Sequence, residues 1–150
     1  MSLQNDVMQA LKEAMKAKDQ TALTALRAVK SAILLVQTES GASHDLSEEQ
    51  EMKLLQKLVK QRKDSAAIYT EQSRPDLAEP ELAEAEIISQ FLPEALSEEE
   101  IEKVVVMTID EIGADGMKDM GRVMGIVTKE LAGQADGKTI SNIVRQKLMN

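Results

Sequence analysis

The amino-acid sequence predicts an all-α protein, and three observations lead to this prediction. Good helix formers such as Ala, Leu, Glu, Lys, Gln and Met are abundant, whereas the 150 residues include only three prolines. Apolar residues recur at helical spacing, and no run alternates as a β-strand would. Two segments, beginning at Ser47 and Ser97, carry the Ser-x-x-Gln/Glu pattern of a capping box. We therefore expect about seven helices and no sheet.

The first two helices are predicted from caps and apolar stripes. Ser2 can cap the first helix and Asp19 the second, because short polar side chains accept hydrogen bonds from the free N–H groups of a helix start. The second helix fades at Glu39-Ser40-Gly41, which is a loop signal. The stripes are Leu3, Val7, Leu11 and Ala14–Met15 in the first helix, and Leu23, Leu26, Val29, Ile33 and Val36 in the second.

Two further helices complete a predicted amino-terminal helical domain over residues 1–93. The third helix opens at the Ser47 capping box. It ends at Arg74-Pro75, because the residue before a proline is pushed out of the helical region. A short fourth helix is predicted to begin near Pro80. The stripes are Leu54, Leu55, Leu58, Val59, Ala66 and Tyr69 in the third helix, and Leu82, Ala85, Ile88 and Leu92 in the fourth.

The break at Phe91-Leu92-Pro93-Glu94 is the predicted domain boundary, and residues 94–150 are predicted to form a three-helix domain. Acidic residues concentrate directly after this break. Residues 94–112 hold one Lys+Arg against seven Asp+Glu, whereas residues 113–150 hold six against four. The fifth helix, capped by Ser97, has the stripe Ile101, Val104, Val105, Thr108, Ile109 and Ile112, and a turn follows at Gly113–Gly116.

The sixth helix is the most informative element of the sequence. Gly121 and Gly125 lie side by side on it, and a glycine in an exposed helix interior costs roughly 1 kcal/mol relative to alanine. Their expected use is the close approach of another helix or of an RNA backbone, where a Cβ would clash. The helix stops at Gly133, and the Ala135-Asp136-Gly137 turn leads to a last helix beginning near Thr139. The two stripes are Met120, Val123, Met124, Val127 and Leu131, and then Ile140, Ile143, Val144 and Leu148.

Composition argues against several classes of protein. The absence of cysteine excludes disulfides and thiolate zinc sites, so a cytoplasmic location is expected. Met1–Lys18 carries charges instead of the apolar core of a signal peptide. No run approaches the ~20 apolar residues of a membrane span, so no membrane association is expected. His44, the only imidazole, sits in a Gly/Ser loop, where a solvated surface role is expected.

The sequence also offers no evident catalytic, metal or cofactor site. No arrangement of a nucleophile with a base is visible, and no phosphate loop or dinucleotide fingerprint occurs. Acidic residues in a first helical turn favour the helix dipole and point in different directions, so we interpret them as a solvated helix start instead of a metal site. These residues are Glu98, Glu99, Glu100 and Glu102.

Two sets of basic residues are candidate phosphate contacts. The first set lies around the glycine helix and comprises Lys118, Arg122, Lys129, Lys138, Arg145 and Lys147. The second set, Lys53, Lys57 and Lys60, follows one stripe of the third helix. A solvated face is the alternative there, because Glu49 is spaced to pair with Lys53. With one Tyr and one Phe in the chain, base stacking is excluded, and RNA would be recognised by shape and backbone.

Several motifs occur in an order that resembles a known family. They are Gln61-Arg62-Lys63-Asp64-Ser65, Arg74 with Asp76-Leu77, Leu92-Pro93, Met120-Gly121-Arg122-Val123-Met124-Gly125 and Ala135-Asp136-Gly137. This ordered set spans essentially the whole chain and resembles the GatB/YqeY family, specifically its small stand-alone YqeY-like members. The resemblance implies an amino-terminal helical domain followed by a three-helix domain. The latter is similar to the tail of the aspartyl/glutamyl-tRNA amidotransferase B subunit, which contacts tRNA.

The resemblance also carries a family label, carbon–nitrogen ligase with glutamine as amide donor. The catalytic parts of the amidotransferase lie outside its tail and have no counterpart in this sequence. Family members often show one or two basic residues just before Ala-Asp-Gly, where this chain has Leu131, Gly133 and Gln134. The preferred tRNA contacts are therefore Arg122, Lys129 and Lys138.

Two functions stay open at the level of sequence. The resemblance favours a non-catalytic tRNA- or RNA-binding accessory protein that uses the basic residues around Gly121 and Gly125. The formal net charge of -8 favours a protein-interaction adaptor without RNA binding, whose acidic surface and methionine-bearing helices would dock a partner in translation or metabolism.

Overall fold

The computed structural model describes residues 2–39 and 46–149, and these residues form seven α-helices, one 3₁₀ turn and no strand. The prediction of an all-α fold is therefore confirmed. The predicted loop at Ser40-Gly41 and the residue His44 lie outside the described residues. The helices are α1 Leu3–Ala17, α2 Gln20–Glu39, α3 Glu48–Glu71, α4 Pro75–Ser89, α5 Glu98–Ile112, α6 Met120–Glu130 and α7 Gly137–Met149, with the 3₁₀ turn at Met117–Asp119.

The chain divides into two compact units, and the first, Met1–Pro93, contains α1 to α4. In this unit α1 packs on α2, and α4 packs on both α2 and α3. Removal of the apolar faces of these helices from water is the main stabilising contribution of such a core. Its most deeply buried large side chains are Val7, Leu26, Val29, Leu55 and Ile88.

Helix caps in the first unit follow the sequence pattern. The hydroxyl of Ser2 accepts a hydrogen bond from the Asn5 N–H, and the Asp19 carboxylate accepts one from the Ala22 N–H at 3.1 Å. The capping box of α3 is complete, because the Ser47 hydroxyl accepts from the Gln50 N–H while the Gln50 side chain accepts from the Ser47 N–H. These bonds satisfy N–H groups that have no partner within the helix.

The predicted start of the fourth helix near Pro80 is wrong, because α4 begins at Pro75. Pro75 occupies the first helical position, where its fixed φ suits a helix and its missing N–H costs nothing. Pro80 lies inside the helix, where it removes the bond that its N–H would have made to the carbonyl of Asp76. The helix continues past this proline and buries Ala85 and Ile88 in the core.

The second unit, Glu94–Asn150, is a three-helix arrangement in which α5, α6 and α7 each pack against the other two. Met120 and Met124 pack against its core, as the apolar stripe of the sixth helix predicted. The last helix begins at Gly137 instead of near Thr139, because the Asp136 carboxylate accepts a hydrogen bond from the Thr139 N–H at 2.7 Å. The core consists of Ile101, Val105, Val123, Val127, Leu131, Ile140, Val144 and Leu148.

A non-helical segment before α5 is tied to the α6–α7 loop, a contact that we call the Gln134 clasp. The N–H of Leu96 donates a hydrogen bond to the Gln134 carbonyl at 2.9 Å. The side-chain amide of Gln134 donates a longer bond of 3.5 Å to the Glu94 carbonyl. Gln134, which directly precedes Ala135-Asp136-Gly137, thus orders the backbone of its own unit.

None of the helices within the described residues has the length and apolar character needed to span a bilayer.

Candidate functional site

The exposed side of α6 carries two glycines beside two cations. Gly121, Arg122, Gly125 and Lys129 are all exposed, while Val123 and Val127 on the opposite side are buried. At a rotation of about 100° per residue, the four exposed positions share one side of the helix. We call these four residues the glycine face. It brings together the two glycines and two of the six basic residues predicted around the sixth helix.

Neither glycine of this face is required by packing within the described chain. Apart from its chain neighbours and the backbone of its own helix, a Cβ built on Gly121 or Gly125 would have no atom of the described residues within 4 Å. Both residues lie in regular α-helix, so they are not needed for a positive φ either. Within the described residues of the second unit, no other helix approaches these two glycines.

Arg122 and Lys129 differ in their surroundings. The side chain of Arg122 is 62% exposed, and its guanidinium forms an ion pair with Asp119 at 3.5 Å. Lys129, in the last turn of α6, is exposed and forms no ion pair with the described residues. A cation in the last helical turn also interacts favourably with the helix dipole. Both cations can reach a ligand on the glycine face.

Asp119 is a residue of this site that the sequence did not single out. Its carboxylate accepts a hydrogen bond of 2.7 Å from the Asp115 N–H, which closes the turn before α6. This backbone bond, together with the positive charges of Arg122 and Lys118, lowers the pKa of the Asp119 carboxyl. Asp119 is therefore ionised at neutral pH and holds the Arg122 guanidinium close to its own turn. The signal in the sequence was its position three residues before Arg122.

The remaining basic residues of the first set lie on other elements. Lys118 is exposed in the 3₁₀ turn that precedes α6, and Lys138 is exposed in the first turn of α7. Arg145 is exposed farther along α7, while Lys147 forms an ion pair with Glu102 of α5. Lys118 is thus adjacent to the glycine face in the chain, whereas Lys138 belongs to a separate helix.

The second predicted set, Lys53, Lys57 and Lys60 on α3, is largely neutralised by neighbouring carboxylates. Lys53 pairs with Glu49 at 3.4 Å, and Lys60 pairs with Asp64 at 2.7 Å. Lys57 forms no ion pair with the described residues. The two i,i+4 pairs favour the interpretation of this set as a solvated helix face.

Arg62, at the next turn of α3, points inward instead of joining that set. Its Nε atom lies 3.6 Å from a Glu84 carboxylate oxygen on α4, and both side chains are more than four-fifths buried. Its guanidinium also donates to the Leu58 carbonyl at 3.2 Å. Arg74 forms two hydrogen bonds to Asp76, of 3.1 and 2.9 Å, at the start of α4. Two of the family-like motifs therefore join α3 to α4 or organise the turn between them.

Within the ranges that the structure describes, no group of three or more His, Cys, Asp or Glu side chains is arranged to hold a metal ion. The acidic start of α5 is organised for capping, since the Ser97 hydroxyl accepts from the Glu100 N–H at 3.2 Å. The Glu100 carboxylate accepts a hydrogen bond from the Ser97 hydroxyl and not from the Ser97 backbone N–H. The start of α5 therefore has an N-cap bond but not the complete capping box that is present at Ser47.

Comparison with known proteins places these features in a family. Residues 4–148 match the family described as Yqey-like protein. Altered inheritance of mitochondria protein 41, mitochondrial, from Clavispora lusitaniae is 38% identical over 126 residues, which cover 81% of this chain and 72% of that protein. The protein of the same name from Saccharomyces cerevisiae is 29% identical over 136 residues, covering 87% of this chain and 68% of that protein.

A second kind of relative is much longer than this chain. The glutamyl-tRNA(Gln) amidotransferase E subunit from Thermococcus gammatolerans is 41% identical over 73 residues, which cover 46% of this chain and only 12% of that protein. The family match extends over nearly the whole chain, so it spans both of the predicted helical domains. We conclude that this protein belongs to the YqeY-like family and is related, over about half of its length, to a domain of the glutamyl-tRNA(Gln) amidotransferase E subunits.

Proposed function

We propose that this protein is a non-catalytic accessory protein that binds tRNA or another structured RNA through the glycine face of α6. The observation that supports the proposal is the combination of two exposed glycines, with open space above them, and two exposed cations on the same side of one helix. Glycines in an exposed helix lower its stability. A ligand that can approach the helix only where Cβ atoms are absent would account for their presence.

The chemistry of this face suits a phosphate backbone. A sugar–phosphate chain can approach α6 closely over Gly121 and Gly125, because no side chain stands between it and the helix. The guanidinium of Arg122 can donate two parallel hydrogen bonds to one phosphate. Lys129, about 10 Å farther along the helix axis, can contact another phosphate as a point charge. Arg122 would exchange its ion pair with Asp119 for the phosphate contact.

The mode of recognition would be shape and backbone instead of base sequence. The face contains no aromatic side chain, and the whole chain has one Tyr and one Phe, so stacking of bases is not available. Folded RNAs such as tRNA can be recognised through phosphates and 2′-hydroxyls. The name of the amidotransferase relatives includes glutamyl-tRNA(Gln), which supports tRNA as the structured RNA.

We also propose that this chain by itself does not catalyse an amidotransferase reaction. The match to the amidotransferase relative covers only 12% of that protein, and no catalytic arrangement is evident in the sequence. An assay with Glu-tRNA or Asp-tRNA, glutamine and ATP should stay at background. Turnover that a point substitution in this chain abolishes would contradict the non-catalytic part of the proposal.

The test of RNA binding is a titration with tRNA at several salt concentrations. Binding should weaken with a log–log slope of about -0.7 to -0.9 for each phosphate contacted. The double variant Arg122→Ala/Lys129→Ala should flatten this slope by about one to two units. The matched control, Lys57→Ala/Lys60→Ala, removes the same charge from α3 and should leave the slope unchanged.

The two double variants also locate the site. A flattened slope in the α3 variant alone would move the contact to Lys53, Lys57 and Lys60. Absence of tRNA binding even at low salt would reject the proposed function.

A protein-interaction adaptor is the second candidate, and one observation favours it. Ile126 lies next to Gly125 on the exposed side of α6, and its side chain is 42% exposed. Small residues beside an exposed apolar side chain also permit close packing of a partner helix. If this function is correct, Ile126→Asp should abolish capture of the partner, while tRNA binding should be absent in every variant.

A further inference from the structure

The first unit contains an apolar groove that lies apart from the glycine face. It has a volume of about 220 Å³ and runs between α1 and α2, with Val7 and Met8 on one side and Ile33 and Leu34 on the other. Met8 is 43% exposed and Leu34 is 51% exposed, so both present apolar surface to solvent. At one end, the Gln4 side-chain amide donates a hydrogen bond of 3.5 Å to the Gln37 side chain across the two helices.

Cations predominate around this groove. The Glu51 carboxylate lies in a neighbouring depression that shares Gln4 and Ile33 with the groove, and it accepts a hydrogen bond from the Leu3 N–H there. Lys30 is the one charged residue that lines it, and Lys30 forms no ion pair with the described residues. Lys12 follows Met8 by four positions on α1, and Arg27 precedes Lys30 by three on α2, so helical spacing places each beside a groove residue. Both are exposed and also lack an ion pair within the described part of the chain. This differs from α3, where Lys53 and Lys60 are paired.

We propose that this groove binds the apolar face of an acidic amphipathic helix from a partner protein. Apolar side chains of that helix would fill the space between Met8 and Leu34. Carboxylates one turn away would pair with Lys12, Arg27 and Lys30. Helix-in-groove recognition has these two components, apolar anchors at helical spacing and complementary charges beside them. The cations of the groove stand out in a chain of net charge -8, so they provide a selective attraction for an acidic segment.

Two other occupants fit the groove less well. A nucleic acid would place phosphates against the apolar walls and would bury none of its own apolar surface there. An anionic bilayer would meet a concave groove instead of a protruding apolar face, and the net charge of the protein opposes its approach. The proposal does not depend on RNA binding, because the groove lies in the first unit and the glycine face in the second.

The test uses two fluorescently labelled designed peptides with the full-length protein. Both peptides have about 18 residues and leucines at i, i+3, i+4 and i+7, and they carry either Glu or Lys at the flanking positions. Fluorescence anisotropy should show binding of the Glu peptide and at least about tenfold weaker binding of the Lys peptide. Equal binding of the two peptides, or no binding of the Glu peptide, would overturn the proposal.

Neighbouring leucines of α2 provide a matched pair of variants. Leu34 lines the groove, whereas Leu35 does not, although it is similarly exposed at 58%. Leu34→Asp should weaken binding of the Glu peptide by about tenfold or more, and Leu35→Asp should leave it nearly unchanged. Lys30→Glu should weaken binding of the Glu peptide and strengthen binding of the Lys peptide. Because all three side chains are exposed, circular dichroism should show an intact fold in each variant.

Two further measurements test whether a second copy of this chain or a membrane surface occupies the groove. Sedimentation of the wild-type protein as a dimer, with Leu34→Asp as a monomer, would assign the groove to a second copy of this chain and overturn the proposal. Binding to phosphatidylserine-containing vesicles that Leu34→Asp abolishes would overturn it in favour of a membrane surface. The variant Arg122→Ala/Lys129→Ala should bind the Glu peptide normally, which separates this proposal from RNA binding.

Discussion

Helix α3 in the first unit and helix α6 in the second both carry cations that the sequence predicts as phosphate contacts, and these two sets differ in their partners within the chain. On α3, Lys53 and Lys60 pair with carboxylates one turn away, and Arg62 turns inward to Glu84. On α6, Lys129 has no such partner among the described residues, and Arg122 has a single one at 3.5 Å. Positive charge in a sequence therefore does not by itself indicate a surface that is available to a ligand.

The same comparison distinguishes residues that stabilise the fold from residues that are free to bind a ligand. The buried cation of α3 contributes to the junction with α4, so its removal should affect folding. The glycine face of α6 contributes nothing to packing that an alanine would not also allow, so changes there should affect binding more than folding. Four substitution experiments test this difference, and they follow in order of decreasing expected effect.

The largest effect is expected at the buried ion pair. Glu84→Ala leaves the Arg62 guanidinium mostly buried without its carboxylate, and the free energy of unfolding should fall by about 2 kcal/mol. The control, Asp64→Ala, breaks the exposed pair with Lys60 and should cost less than about 0.5 kcal/mol. Urea denaturation measures both values. Equal losses in the two variants would show that burial does not distinguish these pairs.

Gly125→Ala should stabilise the protein while weakening its binding to tRNA. The new methyl group has open space, and alanine is favoured over glycine in a helix interior, so the free energy of unfolding should rise by about 1 kcal/mol. Thermal and urea denaturation measure this gain, and the tRNA titration measures the loss of affinity.

A second glycine provides the control for this prediction. Gly113 also has open space around it, but its φ is +64°, so Gly113→Ala should lower stability by about 1 kcal/mol. Unchanged tRNA affinity in Gly125→Ala would mean that the close approach of a ligand is not the reason for this glycine.

Asp119→Asn should raise the affinity for tRNA by about two- to threefold, because Arg122 loses its competing carboxylate. The asparagine oxygen can still accept the hydrogen bond from the Asp115 N–H, so the turn before α6 should remain intact. Asp136→Asn makes the same charge change at the α7 cap, where asparagine caps equally well, and should have a smaller effect. Equal gains in both variants would indicate a general charge effect instead of competition for Arg122.

The smallest effect concerns acid stability. The pKa of the Asp119 carboxyl is lowered by its hydrogen bond from the Asp115 N–H, and that of Asp76 by its hydrogen bonds from Arg74. Folded carboxyls with lowered pKa values contribute stability that is present above the unfolded value, about 3.9, and that is lost as pH falls through the folded values. Urea denaturation between about pH 2 and pH 6 should therefore show a shallower acid-side loss in Asp76→Asn than in the wild type.

Much of the helical fold could be predicted from local patterns, and the exceptions have physical causes. The Ser47 capping box and the stripes of the fifth and sixth helices need only neighbouring residues, so the sequence contains them directly. Pro80 led to a wrong prediction of the helix start, because the sequence alone does not distinguish a proline inside a helix from one at its first position. The difference becomes visible only with the packing of Ala85 and Ile88 in the folded protein. The position of α4 depends on that packing.

The candidate site was predicted in part. Helical spacing alone places Arg122 and Lys129 on one side with the glycines. The inward direction of Arg62 could not be predicted, because its partner Glu84 lies on another helix. The open space above Gly121 and Gly125 likewise depends on what the rest of the fold leaves uncovered. The groove between α1 and α2 arises from two helix faces that each look ordinary in sequence.

The Gln134 clasp has a consequence for amide hydrogen exchange. The N–H of Leu96 lies outside every helix, yet it is bonded to the carbonyl of Gln134, a residue of the α6–α7 loop. Its exchange with deuterium requires the loop to separate from the segment before α5, so this amide reports opening of the second unit. The Leu96 amide should exchange slowly among the fast-exchanging amides of the neighbouring non-helical residues. Its exchange rate would then report the joint separation of α5, α6 and α7.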